Sequence, residues 1–372
     1  MYGATYLLLV IYLNMPKSIV SVAKRDRDLT NDYKISMVSS EEHPGSPALF
    51  AHAESPVWDP HSQSLFFVDA LDQNVHRLDY VSGKIHSKHI GKRLDLHLNY
   101  MLLIYFTFRR LTLPKSYGQV NVVSLVAGTS RLLVAVRAAL YLLDWGVNGD
   151  AALRLLTSLD EGLPDNVINE GKPDAEGRFW VGTKGPQSGD DVVPDKATLY
   201  SLDQSSLTHP AVQMKPITIS NGIAWSPNNS VMYYIDSPTQ KIEAFDYDLL
   251  RGEISDRRTI IDISEYGYEE AIPDGMVIDA QGHLWVALMF GGTILHVDPD
   301  KRSIVYAYKL PVTRTTSVCW GGPNLDELFV TTSRERLNPK DEPLGGAIFT
   351  IRNTGHRGLP PYEFRLDNAD TY

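Results

Sequence analysis

A repeated unit of short, β-rich strands constrains this chain more than any other feature. It reads most clearly in NGIAWSPNNSVMYYIDSPTQKIEAFDYD from Asn221 and DGMVIDAQGHLWVALMFGGTILHVDPD from Asp274. The same order recurs in ESPVWDPHSQSLFFVDALDQNVHRLD from Glu54, in EGKPDAEGRFWVGT followed by ATLYSLD from Glu170, and in TSVCWGGPNLDELFVTT from Thr316. A sixth copy, NVVSLVAGTSRLLVAVRAALYLLD, runs from Asn121 to Asp144. Each copy has a polar opener, a short strand, a turn built from Asp, Asn, Gly or Pro, and a second β-rich strand; a third strand usually follows. The openers at 170, 221, 274 and 316 are 51, 53 and 42 residues apart. Repeats of this length, with several strands each, close around an axis as blades, whereas a β-helix needs a shorter, stricter period. The expected fold is all-β, a six-bladed β-propeller.

The repeats set the boundaries. Residues 1–45 precede the first unit and read as a loosely ordered leader, with the propeller over 46–372. The apolar run YLLLVIYL from Tyr6 and the small residues Ser21, Val22 and Ala23 outline a weak signal segment. No positive charge precedes that run, and it is short for a membrane span. Met37 offers an alternative start. Between Glu54 and Glu170 the chain is too long for two blades. The surplus is KRLDLHLNYMLLIYFTFRRLTLPKSY, residues 92–117, an insert that reads as a loop or as a gene-model artefact.

In a propeller the first strand of every blade lines the central channel, so residues at one repeat position form a ring. Glu54, Glu170, Asn221 and Asp274 each stand four residues before a matched strand position, taken as Trp58, Asp174, Trp225 and Ile278. Carboxylates aimed at one axis repel and desolvate one another unless a cation sits among them. A donor set made only of oxygen suits Ca²⁺, Mg²⁺ or Mn²⁺. A lone opener of this kind would more commonly cap a turn; four at one offset point to a metal ring.

Composition excludes other readings. The net charge of −10 is wrong for general nucleic-acid binding. The single cysteine, Cys319, rules out an intramolecular disulfide and suits a reducing, cytoplasmic setting, with a secreted protein as the alternative. Beside Trp320 it reads as a small buried hydrophobe. No HExxH, GxSxG or phosphate-loop spacing is present. The partner expected is therefore a small molecule, with no nucleic acid, membrane or protein partner implied.

The segments AESPVWDP, NEGKPDAEGRFWVGTK, SNGIAWSPNNSVMYYIDS, PDGMVIDAQGHLWVA and GGPNLDELFVTT resemble the regucalcin (senescence marker protein), gluconolactonase and luciferin-regenerating enzyme family. The resemblance runs from about Ser46 to Leu366 apart from the insert. It implies a six-bladed propeller holding one divalent cation, Ca²⁺ first with Zn²⁺, Mn²⁺ or Mg²⁺ as alternatives. The implied ligands are Glu54, Asn221 and Asp274, with Asp274 also the catalytic proton acceptor and donor in lactone or ester hydrolysis. Asn169, Glu170 and Gln187 fall at substrate-binding positions. Two departures stand out. Val167 replaces an Arg that relatives use to grip substrate, and Gln187 replaces a Glu. The altered wall implies a preference for less hydroxylated lactones. It also keeps two alternatives open: a non-catalytic calcium- or ligand-binding propeller, and a phosphotriesterase-like hydrolase.

Overall fold

The computed structural model describes residues 33–39, 46–90 and 118–367. They form six four-stranded antiparallel sheets arranged as the blades of a propeller. Blade 1 runs Ala53–Asp59, Ser64–Asp69, Asn74–Asp79, Ile85–His89. Blade 2 runs Val120–Leu125, Leu132–Val136, Ala139–Leu143, Leu153–Ser158. Blade 3 runs Val167–Pro173, Phe179–Lys184, Ala197–Leu202, Ala211–Ile217. Blade 4 runs Ser220–Trp225, Val231–Asp236, Lys241–Asp248, Glu253–Asp262. Blade 5 runs Ile272–Ile278, Leu284–Met289, Thr293–Asp298, Ser303–Lys309. Blade 6 takes Thr315–Gly321, Glu327–Thr332 and Phe349–Arg352 from one end of the chain and Lys34–Met37 from the other.

Second strands such as Leu284–Met289 are buried along their whole length, because a blade is packed on both faces. Outer strands such as Ala211–Ile217 keep most residues half-buried or exposed. The core is divided into six apolar clusters, each shared by two adjacent blades. One joins Ile235 of blade 4 to Met276 and Val286 of blade 5. Another joins Trp58 and Phe67 of blade 1 to Phe329 of blade 6, so the circle closes. Cys319 lies in that last cluster as a buried free thiol, and burial pushes its pKa up.

The supposed leader is partly structural. Lys34–Met37 pairs antiparallel with Phe349–Arg352 from Lys34–Arg352 to Met37–Phe349, and Ser39 bridges to Pro47. The loose-leader reading thus fails for residues 34–39, while residues 1–32 and 40–45 of that leader lie outside the described residues, as does the insert at 92–117. Among the described residues no helix is long and apolar enough to cross a membrane.

After Arg352 the chain becomes a strap over the far end of the channel. Ala280 donates to Arg357 O, Gly358 to Leu325 O, and Tyr362 to Asn229 Oδ1. Leu359–Tyr362 lines a small cavity of about 120 Å³ with Lys172, Cys319 and the ends of the inner strands. Phe364 then pairs with Val126 and Arg365 donates to Gly177 O.

Candidate functional site

Every inner strand slips register once, near its start. The slips fall at Glu54/Val57, Val120/Val122, Ile168/Glu170, Ser220/Ile223, Pro273/Met276 and Thr315/Val318. Such bulges re-aim a side chain out of the sheet. The positions they share are Glu54, Asn121, Asn169, Asn221, Asp274 and Thr316. Each stands four residues before a residue paired across the first hairpin: Trp58–Leu65, Leu125–Leu132, Pro173–Phe179, Trp225–Met232, Ile278–Leu284 and Trp320–Leu328. The matched position in blade 3 is therefore Pro173, not Asp174. Asn169 takes the ring position assigned to Glu170, and Asn121 joins it.

Asn121 and Asn169 of this ring are oriented by the next blade, and Asn221 by a serine of its own blade. Asn121 Nδ2 donates to Ile168 O at 2.7 Å, and Asn169 Nδ2 to Ser220 O at 2.9 Å. Asn221 Nδ2 donates to Ser237 Oγ at 2.8 Å, and that hydroxyl donates on to Pro273 O at 2.7 Å. With the nitrogens tied back, the carbonyl oxygens remain as acceptors. The glycine after each of two ring residues is explained by close approach. A Cβ on Gly275 would come within 2.1 Å of Ser317 Oγ, and one on Gly222 within 2.7 Å of Met276 Cβ.

Glu54, Asn121, Asn169, Asn221 and Asp274 line one cavity of about 670 Å³. Val167 and Gln187 also line it; Gln187 is exposed, on a small hairpin of Gln187–Ser188 and Asp191–Val192. Glu170 does not line the cavity. It is buried beside it and accepts from Gly171 N at 3.2 Å. Lys184, Arg137, Arg314 and Arg336 add positive charge to the wall, and Asp165, Asp190 and Glu335 add negative charge. The Arg314 guanidinium stacks over Phe290 at 4.8 Å; its Nη1 makes no hydrogen bond and lies 3.5 Å from Asp190 Oδ1. Sequence patterns missed Arg314 because it precedes a blade instead of opening one.

The electrostatics are those of crowded anions. Burial holds Glu54 well above the usual carboxylate range, and the Asp274 and Glu170 charges push it further. Burial, then Glu170, does the same to Asp274, against the pull of Lys184 and of the Asn221 amide. Burial also raises Glu170. Lys184 is lowered by its own desolvation, while Asp274, Glu335 and Glu54 pull it back up. His52 at the rim is held down to about 3 by burial and by the Lys184 and Arg314 charges, so it stays neutral. Two carboxylates and an oriented amide oxygen, with a third carboxylate behind them, form a hard-oxygen donor set with an excess of negative charge. That set fits a divalent cation.

The chain is similar to known proteins along most of its length. Residues 52–334 match the family model described as SMP-30/Gluconolactonase/LRE-like region. The chain is 34% identical to regucalcin of Bos taurus over 315 residues, covering 84% of this chain and 94% of that protein. Regucalcin of Homo sapiens is 32% identical over 315 residues with the same coverage. A luciferin-regenerating enzyme superposes with a TM-score of 0.76 at 25% identity, covering 90% of this chain and all of that one. Regucalcin from Agrobacterium tumefaciens, described as a calcium-binding protein, superposes with a TM-score of 0.70 at 23% identity over 86% of this chain and 95% of its own. The family match over residues 52–334 and the 34% identity to regucalcin across most of both chains make this chain a member of the SMP-30/gluconolactonase/LRE-like family.

Proposed function

We propose that this protein is a divalent-cation-dependent hydrolase that opens a lactone or related ester. The observation that carries the reading is the meeting of Glu54, Asn221 and Asp274, from three blades, in one polar cavity of about 670 Å³. Family membership supports a lactonase-type activity. A cation bound by those residues supplies Lewis acidity at the substrate carbonyl and stabilises charge on its oxygen. Asp274 accepts a proton from the attacking water and returns it to the ring oxygen as the acyl–oxygen bond breaks. Burial and the Glu170 charge favour the protonated Asp274, so the ionised form that this step requires depends on the bound cation, aided by the Lys184 charge. Arg314 offers donors to a substrate carboxylate or hydroxyls. Val167 alone implied a shift to apolar lactones; the guanidinium supplied from another blade keeps sugar-acid lactones within range.

The test is a panel of sugar-acid and aliphatic lactones assayed with Ca²⁺, Mg²⁺, Mn²⁺ and Zn²⁺. Cation-dependent hydrolysis is expected, and Asp274→Asn should reduce it by about 10²–10⁴-fold. Cation binding without turnover of any lactone or ester would overturn the reading and leave a calcium-binding protein.

A further inference from the structure

A second cluster lies away from the cavity, where the strap crosses blade 5. Asp279, in the first turn of the blade, and His283, His296 and His356 each offer one ligand atom, all within 4.8 Å of one another. His283 Nδ1 is 2.7 Å from His296 Nε2. His356 Nδ1 is 2.8 Å from Asp279 Oδ2, in contact with the buried carboxylate. His283 and His296 thus share one hydrogen bond whose proton either ring can carry, and His356 sits at contact distance from a buried carboxylate; a metal ion would take the place of the protons in both contacts.

Blade 3 carries an acid at the same position and shows how it is neutralised there. Its equivalent acid, Asp174, accepts from Trp180 Nε1 at 3.1 Å, as Asp279 accepts from Trp285 Nε1 at 3.0 Å. Asp174 is neutralised by the Arg178 guanidinium at 2.7 Å. His283 stands at that arginine's place, four residues after the acid. Asp279 is fully buried, and blade 5 gives it no permanent cation. His296 stacks flat on Trp285 at 4.4 Å and is neutral, its pKa lowered to about 3 chiefly by burial. Neutral imidazole is the ligating form.

We propose that Asp279, His283, His296 and His356 bind one Zn²⁺ in a closed tetrahedral site that pins the C-terminal strap to blade 5. Three imidazoles and one carboxylate are a zinc donor set, distinct from the oxygen ring in the cavity. Ligand atoms around tetrahedral zinc lie roughly 3.3 Å apart, so the two close pairs open slightly and the widest contracts. The surroundings fit. Trp285 Nε1 donates to the ligating carboxylate, and Asp298 Oδ2 lies 3.7 Å from His283 Nε2 on the outer side of that ring.

The experiment uses the full chain carrying Glu54→Gln and Asp274→Asn, which disable the cavity ring, or the unaltered chain saturated with Ca²⁺ if that variant does not fold. Dialysed against Zn²⁺, it should retain one Zn²⁺ per chain. Co²⁺ in place of Zn²⁺ should give the intense visible bands of tetrahedral coordination. Trypsin cleavage after the exposed Arg357 should slow on Zn²⁺ addition. His356→Gln should lose the bound metal, the bands and the protection together. No retained Zn²⁺, an octahedral Co²⁺ spectrum, or undiminished binding in His356→Gln would each overturn the proposal.

Discussion

At the scale of single residues, the ring at the channel mouth does two jobs. Its asparagines tie blade 2 to blade 3, blade 3 to blade 4 and, through Ser237, blade 4 to blade 5, and its carboxylates supply charge. Without a cation, Glu54 and Asp274 hold protons that the unfolded chain has already released above about pH 4. Stability from this source is therefore fullest at low pH and falls as pH rises from the unfolded toward the raised native pKa values. Melting curves of the cation-free protein should show Asp274→Asn gaining on the parent as pH increases. A saturating cation should reverse the order, because it stabilises the parent by mass action. Parallel curves that ignore both pH and cation would show that Asp274 is no ligand. Arg314→Leu should raise KM about ten- to a hundredfold for lactones bearing a carboxylate, the cost of a charged hydrogen bond, and leave unsubstituted lactones little changed. Equal effects on both classes would remove Arg314 from substrate recognition. Glu54, Asn221 and Asp274 were legible in the sequence because bulge, repeat and residue type coincide there. Blade 3 misled because its turn acid, Asp174, sits one residue beyond Pro173, and only the pairing with Phe179 reveals the shift. Asn121 stands at the head of the sixth copy, but the apolar strand that follows it hides the offset that would have put it in the ring.

At the scale of elements, inner and second strands declared themselves and outer ones did not. Ala211–Ile217 contains Pro216 and exposes much of its length, which an edge strand tolerates but which erases the alternation that marks a strand. Lys34–Met37 was invisible for a different reason: its partner lies more than three hundred residues away, and the repeat search began after it. Its side chains are not idle. Ile35 and Met37 pack half-buried against the core shared by blades 5 and 6, and Tyr33 meets Tyr308 edge-on at 5.0 Å. A chain begun at Met37 loses this strand. Removing residues 1–36 should cost about 2–4 kcal/mol, as expected for two partly buried apolar side chains, whereas removing 1–32 should cost far less. Thermal melts of the two truncations decide the matter; equal stability would mean that the sheet closes without Lys34–Met37.

At the scale of the whole molecule, six blades share six cores, and every blade depends on both neighbours. The insert at 92–117 joins the outer strand of blade 1 to the inner strand of blade 2. Its flanks are already fixed, with Ile90 N donating to Gln73 O and Arg137 N to Gln119 O. Replacing residues 92–117 by a short linker should leave the melting temperature and the cation response intact. A variant that cannot fold would instead make the insert part of the propeller. The pairing of Lys34–Met37 with Phe349–Arg352 also sets a clock. During synthesis, at ~5–20 residues per second, the first strand waits on the ribosome for about 15–60 s before its partner exists. Through that interval the first-made blade lacks its neighbour across the closing interface, and Phe67 and Trp58 lack the Phe329 side of their cluster. The ring is thus closed only once Phe349–Arg352 has been made, and until then the unpaired strand edges are exposed to chaperones and to one another.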